Sequence, residues 1–380
     1  MRILLSGAHL TPALAMIDFI QTNHKEHQLF FVGRLYSQEK LNQKAIEKDE
    51  VEKRKIKFIP FSASKFANYS FLSRAHAFFM FPKTIALARK ILIEEKIDLF
   101  LSFGSYLAVP FAIAAKSLGI VVVTHEQTVV LGKANKFIAS IADKVAISYE
   151  ETKKYLKRSD AVVTGNPIRA RLFAKDLKRP EWLSDTPKNL LLVMGGNQGS
   201  FVINDLIKEN LEKLLEKYSI IHQCGRANKI KDSFRELSEI KNKLPKILQE
   251  KYFIKEWVEE EDLFWIYQHA QFAISRSGAN AVLELSLAPL PAILIPLENT
   301  YQNEQQANAL VMQKINGALI LQQSKLNTNT FLDSVAFLEK NHRAMRLSLA
   351  KNQLYQNASS KLYQLLVVAY QENHKEKSNL

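Results

Sequence analysis

A single cysteine, Cys224, stands among the 380 residues, so the chain can form neither an internal disulfide nor a cysteine metal cluster, and a reducing compartment is expected. No uninterrupted apolar run reaches the roughly 18 residues of a membrane span; the most apolar stretch, Tyr106 to Val123, is broken by Lys116 and Ser117. Arg2 followed by apolar residues and Ala13-Leu14-Ala15 imitates a secretion leader, but His9 and Pro12 interrupt it early. A cytoplasmic protein without transmembrane helices is therefore expected. The dinucleotide fingerprint and the Walker pattern are also missing, as are an Asp-x-Asp motif, internal repeats, low-complexity tracts and any recognised nucleic-acid-binding motif.

What is present is apolar material for two cores, at 47% hydrophobic and 24% charged residues, in a chain whose length suits two domains. A formal charge of +14 calls for an anionic partner, whether an acidic membrane surface or a phosphorylated substrate, and the missing motifs argue against nucleic acid.

Short apolar runs at 2–6, 28–33, 56–60, 98–103, 120–124, 144–148 and 161–164 read as buried strands. The segments between them, such as 13–22, 82–95 and 110–118, carry helical spacing, so the first half is a doubly wound α/β domain. A second series at 189–194, 218–223, 252–258, 271–275, 291–295 and 317–321 repeats the architecture. Residues 173–188, with Pro180 and Pro187 among polar positions, read as the linker. The expected division is 1–172, linker 173–188, 189–345, and a C-terminal helix and polar tail over 346–380. The stretch Gln38 to Lys57 reads as a solvated helix leading into a strand.

Ligands of open parallel sheets bind beyond the carboxyl ends of the strands, where three loops stand out: Ser6-Gly7-Ala8-His9, Gly195-Gly196-Asn197-Gln198-Gly199-Ser200, and Arg276-Ser277-Gly278-Ala279-Asn280. Each joins a strand to a helix, so backbone N–H groups and the positive dipole end can meet an anion such as a pyrophosphate; the alternative for each is a plain tight turn. Arg276 can add a fixed positive charge. Glu284, one turn beyond Asn280, either accepts hydrogen bonds from a ribose diol or merely complements the helix dipole.

The phrases HEQ (125–127), GNPIR (165–169), GGNQGS (195–200), SRSGANAVLEL (275–285) and NEQQANAL (303–310) occur in an order that resembles the MurG family of peptidoglycan N-acetylglucosaminyltransferases, in glycosyltransferase family 28. The likeness spans nearly the whole chain. It implies a GT-B fold of two Rossmann-like doubly wound domains facing a central cleft, the first for the acceptor and membrane, the second for the UDP-sugar. It also implies inverting transfer of N-acetylglucosamine from UDP-N-acetylglucosamine to the 4-hydroxyl of undecaprenyl-pyrophosphoryl-muramoyl-pentapeptide.

The resemblance places Arg169, Asn197, Val258, the stretch Ala279, Asn280, Ala281, Val282, Leu283 and Glu284, and Gln305 at donor-contacting positions. Val258 would read uracil through its backbone, Glu284 would hold the ribose and Gln305 the transferred sugar, with Glu304 and Gln306 competing for that last role. His9 matches a candidate general base, whose imidazole suits proton removal near neutrality; a helix cap is its other reading. Ser6, Gly7 and Ala8 belong to the acceptor loop. His125, Glu126, Gln127 and Thr128 are either ligands or a supporting polar cluster. No cofactor is implied, and helix dipole, backbone amides and Arg276 would stabilise departing UDP without an obligatory metal.

Three departures qualify the match. LSGAH replaces a loop of the form GGTGGH, Thr128 replaces the amide of HEQN, and Asn197 replaces the serine of GGSQG. They motivate two alternatives: a glycosyltransferase using another UDP-sugar on another glycolipid or small acceptor, or an inactive sugar-nucleotide-binding relative. Residues 66–93 mix Phe66, Tyr69, Phe71, Leu72, Phe78, Phe79 and Phe81 with Arg74, Lys83, Arg89 and Lys90. That mixture is either a peripheral patch for the anionic inner face of the plasma membrane or part of the first core.

Overall fold

The computed structural model describes the whole chain except residues 8–9, 39–42, 45, 62–70, 197–198, 227–230, 352–356 and 379–380, and the side chains of 36–38, 43–44, 46, 71–79 and 376–378. By their contacts the residues form two compact units, Met1–Arg169 with Tyr355–Leu380, and Ala170–Leu354.

Unit 1 runs β1 (Arg2–Ser6), α1 (Leu10–Asn23), β2 (Gln28–Gly33), the short antiparallel pair β3 (Tyr36–Gln38) and β4 (Gln43–Lys44), α2 (Ile46–Lys53), β5 (Lys57–Pro60), α3 (Phe71–Glu94), β6 (Leu99–Ser102), α4 (Ala108–Ser117), β7 (Val121–Glu126), α5 (Lys133–Ile141), β8 (Lys144–Ile147) and β9 (Val162–Val163). Seven strands pair in parallel in the order β5-β2-β1-β6-β7-β8-β9. Side chains alternate between the faces. Leu4, Phe30, Val32, Phe100 and Val122 enter one core, while Ile3, Leu5, Phe31, Leu99, Leu101 and Val123 enter the other. With both faces covered, the strands read as continuous apolar runs.

Unit 2 runs β10 (Leu190–Met194), α6 (Phe201–Glu209), α7 (Leu211–Lys217), β11 (Ser219–Gln223), α8 (Ser233–Lys243), α9 (Lys246–Gln249), β12 (Tyr252–Lys255), α10 (Glu260–His269), β13 (Phe272–Ser275), α11 (Ala279–Leu287), β14 (Ala292–Leu294), α12 (Glu304–Lys314), β15 (Ala318–Ile320) and α13 (Thr328–Lys351). Its sheet is parallel, in the order β12-β11-β10-β13-β14-β15. Both sheets reverse strand order beside their first strand, the switch point where such folds bind ligands.

Several expectations change. Between Gln38 and Lys57 the expected helix leading into a strand is present only in the second half, where α2 leads into β5; β4 precedes it, and Val51 of α2 is fully buried. The helix expected from Pro82 begins a full three turns earlier, at Phe71. Residues 173–188 do not behave as a loose linker but fold onto unit 2. Leu183 is buried, Trp182 Nε1 donates to Asp262 Oδ2 at 2.7 Å and Gln268 Nε2 donates to the Ala174 carbonyl at 2.9 Å.

The expected limit at 345 falls inside α13, and the expected polar tail is helical as far as Ser378. The final helix α14 (Ala358–Ser378) returns to unit 1, where Leu362, Leu366 and Ala369 pack with Met16 and Ile20 of α1 and Glu372 pairs with Lys144 at 2.7 Å. Its apolar face gains more from that core than a solvated helix could gain from propensity alone.

Candidate active site

In unit 1 the switch point lies between β1 and β6. Ser6 and Gly7 leave β1, and Ser6 Oγ is buried without a partner among the described residues; the candidate base His9 and its neighbour Ala8 lie outside the described residues. Phe103 N donates to the Ser6 carbonyl at 2.8 Å, so the loop after β6 runs beside the first. The sequence reading passed over that second loop. There Gly104 (φ +83°) and Ser105 (φ +88°) both adopt positive φ, which costs a non-glycine residue about 1–3 kcal/mol and marks a held, specialised turn. A Cβ on Gly104 would lie 3.0 Å from the Asn135 amide. A glycine beside a serine gives little sequence signal for such a turn.

Asn135 leads into the HEQT segment. Glu126, buried, accepts from Thr128 N (3.1 Å) and Thr128 Oγ1 (2.9 Å) at Oε1, and from Gly132 N (2.9 Å) and Asn135 Nδ2 (3.0 Å) at Oε2. Four donors saturate a carboxylate, so Glu126 is a frame for the 127–132 loop and the start of α5. Thr128, buried, turns its hydroxyl into that frame. His125 contacts the Gly165 carbonyl through Nε2 at 2.8 Å, tying HEQ to GNPIR.

The groups here with unmet hydrogen-bonding capacity among the described residues are Gln127 Oε1 and both amide atoms of Asn166, each almost fully buried. A buried amide without a partner costs about 1–3 kcal/mol, so Asn166 is a ligand candidate overlooked inside a motif that was recognised. Arg169 is half-buried at the end of this unit.

In unit 2, β10 ends in Gly195 and Gly196; Asn197 and Gln198 lie outside the described residues. A Cβ on Gly195 would sit 2.2 Å from Ser200 N, and one on Gly199 (φ +74°) 2.1 Å from the Cys224 carbonyl. The glycines thus serve close backbone packing, and Ser200 caps α6 by accepting from Ile203 N.

The Cys224 carbonyl is held in place by Asn204 Nδ2 at 2.9 Å, and Asn204 Oδ1 lies 3.0 Å from His222 Nε2. Tyr252 OH completes the chain 2.8 Å from His222 Nδ1. Burial pushes His222 down to about 3, so the ring is neutral, and pushes the Cys224 thiol up to about 12, leaving it inert. Neighbouring Gln223 accepts from Val258 N at 3.1 Å, so in this state the backbone donor assigned to uracil is engaged by a side chain.

The third loop follows β13. Gly278 is the N-cap of α11, with no side-chain cap and, among the described residues, nothing within 4 Å of where its Cβ would stand, so no capping side chain occupies the first-turn N–H groups. Ala279, Val282 and Leu283 are buried in the unit, while Asn280 and Ala281 are half-buried. Glu284, buried, accepts from Tyr267 OH at 2.9 Å.

Arg276 does not point freely toward a ligand. Its Nη1 donates to the carbonyls of Ile295 (3.0 Å) and Pro296 (3.3 Å), and burial lowers its pKa. Gln305 Oε1 accepts from Leu297 N at 2.9 Å and its carbonyl from Ser277 Oγ at 2.8 Å, binding α12 to the third loop. Gln302 and Asn303, just before α12, both hold left-handed φ. Among the described residues no group of three His, Cys, Asp or Glu is placed to hold a metal.

Of the patch over 66–93, Phe66 and Tyr69 lie outside the described residues, as do the side chains of Phe71, Arg74 and Phe78. Phe81 is half-buried and Lys83, Arg89 and Lys90 are exposed. Leu87 and Ile93, on the same helix, are exposed as well. No helix of the described residues is long and apolar enough to cross a membrane.

Comparison with known proteins matches residues 6–147 to the glycosyltransferase family 28 N-terminal domain and residues 190–366 to the glycosyltransferase family 28 C-terminal domain. A protein of Clostridium tetani is 32% identical over 97% of this chain and 98% of its own length; one of Clostridium botulinum is 29% identical over 92% and 93%. Both are named UDP-N-acetylglucosamine–N-acetylmuramyl-(pentapeptide) pyrophosphoryl-undecaprenol N-acetylglucosamine transferase. Among solved structures, MurG of Acinetobacter baumannii superposes with a TM-score of 0.69 at 22% identity, covering 96% of this chain and 98% of that one. The UDP-GlcNAc 2-epimerase of Neisseria meningitidis bound to UDP-GlcNAc gives 0.68 at 12% identity, covering 97% and 100%. At those identities the structures speak for the fold.

Proposed function

The chain belongs to glycosyltransferase family 28, and from that membership we propose that it transfers N-acetylglucosamine from UDP-N-acetylglucosamine to the 4-hydroxyl of the muramoyl sugar on undecaprenyl-pyrophosphoryl-pentapeptide, in peptidoglycan synthesis. The observation that carries the reading is in unit 2, where α11, capped by Gly278 just after β13, carries the buried Glu284 carboxylate.

The acceptor oxygen attacks the anomeric carbon, the bond from that carbon to UDP breaks with inversion, and the hydroxyl proton passes to a base, for which His9 is our candidate. The α11 N-terminus would meet the diphosphate where charge builds as UDP leaves. Arg276 would act indirectly, by fixing the loop after β14. Uracil would meet the backbone of Val258 once Gln223 yields its N–H, Glu284 would hold the ribose, and Gln305 would form the sugar-side wall. Asn197 and Arg169 complete the proposed donor set. Glu126 supports the first unit's loops instead of touching substrate; Gln127, Asn166 and Ser6 are the acceptor-side candidates. The enzyme would work on the cytoplasmic membrane face, held there by Lys83, Arg89 and Lys90 with Leu87 and Ile93, and by the net charge of +14.

UDP release from UDP-N-acetylglucosamine, with and without a soluble lipid-linked acceptor analogue, tests this: acceptor-dependent release with a disaccharide product is expected, and failure to bind the donor at all would overturn it. A second reading keeps the chemistry and changes the sugar, because Thr128 faces the Glu126 frame where the family has an amide thought to touch the sugar. Faster turnover with UDP-glucose than with UDP-N-acetylglucosamine would favour it.

A further inference from the structure

The phenol of Tyr267 is not explained by the reaction. Tyr267 projects from α10 and is completely buried, so its hydroxyl needs a polar partner inside the unit. Two acceptors lie within reach: Glu284 Oε2 at 2.9 Å and the Met194 sulfur at 3.8 Å. Met194 is the last residue of β10, directly before Gly195, so one hydroxyl touches both the strand that feeds the glycine-rich loop and the carboxylate on α11.

We infer that Tyr267 is the positioning residue for ribose recognition: by donating to Glu284 Oε2 it fixes the rotation of that carboxylate, and so the direction in which a diol meets its acceptor. The inference rests on the proposed role of Glu284. A carboxylate this deeply buried is costly without donors, and a hydrogen bond to a charged acceptor is about twice as strong as a neutral one. Tyr267 itself need not touch the nucleotide; it acts through Glu284.

The test measures, on the full chain, the dissociation constants of UDP and of 2′-deoxy-UDP by calorimetry for the wild type, Tyr267→Phe, Glu284→Gln and the double variant. Their ratio isolates the ribose hydroxyl, which a general loss of stability would not change. Phenylalanine keeps the ring in place, and near-ultraviolet circular dichroism verifies packing.

We expect Glu284→Gln to abolish the preference for UDP. Tyr267→Phe is expected to cut that preference at least threefold, through weaker UDP binding with 2′-deoxy-UDP nearly unchanged. The double variant should lose nothing beyond Glu284→Gln. If Glu284→Gln abolishes the preference while Tyr267→Phe leaves the ratio at the wild-type value, the Tyr267 inference is overturned and the ribose role of Glu284 stands. If Glu284→Gln leaves the ratio unchanged, that role fails and the inference with it.

Discussion

Replacing Glu126 by glutamine asks whether this residue is a frame or a ligand. The side chain keeps its shape, but one carboxylate oxygen becomes an NH2 that cannot accept. Each oxygen now takes two bonds, from Thr128 N and Oγ1 on one side and Gly132 N and Asn135 Nδ2 on the other. With the NH2 toward Thr128, the Thr128 N–H loses its acceptor while the Thr128 hydroxyl keeps the Val130 carbonyl; with the NH2 on the other side, Gly132 N and Asn135 Nδ2 lose theirs. The amide takes the less costly orientation, so unit 1 should lose about 1–3 kcal/mol. For a domain of this size, each kcal/mol is worth about 2–4 °C, so the unit 1 transition of a calorimetric scan should fall by about 2–12 °C. UDP affinity, proposed to rest mainly on unit 2, should hold. A variant as stable as the wild type but catalytically dead would refute the argument and favour the reading of Glu126 as a ligand.

Acid should weaken unit 2 through His222. Its folded pKa, about 3, lies below the ordinary 6.5, so its contribution is complete above pH 6.5 and is lost as pH falls from there toward 3, by an amount on the order of 4 kcal/mol; urea midpoints against pH for wild type and His222→Gln should converge in acid. Gly199→Ala combines a left-handed φ with a Cβ 2.1 Å from the Cys224 carbonyl, and should cost about 2–4 kcal/mol and weaken UDP binding at least tenfold; calorimetry showing wild-type affinity would mean that the loop does not meet the diphosphate. Activity should survive EDTA, since the α11 N-terminus is proposed to carry the leaving-group charge; loss of turnover restored by added magnesium would overturn that part of the mechanism.

Strand positions were legible because a buried parallel strand is a local signal. The run at 28–33 matches β2 residue for residue, and all six runs expected in the second half contain strands of the unit 2 sheet. The Pro82 helix start was misplaced because proline is favoured in a first turn, a preference that the continuous α3 overrides. The C-terminal helix was legible as a helix, yet its polar composition concealed the few apolar residues that join the unit 1 core.

By itself, the sequence determined the alternation of strands and helices, the two parallel sheets, the glycine-bearing loops and the family, since ordered motifs and apolar periodicity are properties of the chain read in line. Only the tertiary structure decided what the polar residues do. Glu126 is saturated, Thr128 faces inward, Arg276 holds two carbonyls, and Glu284 is met by Tyr267 from the preceding helix. A side chain's hydrogen-bond partner depends on which helix packs beside it and at what angle, and that is settled only when the cores close around the sheets.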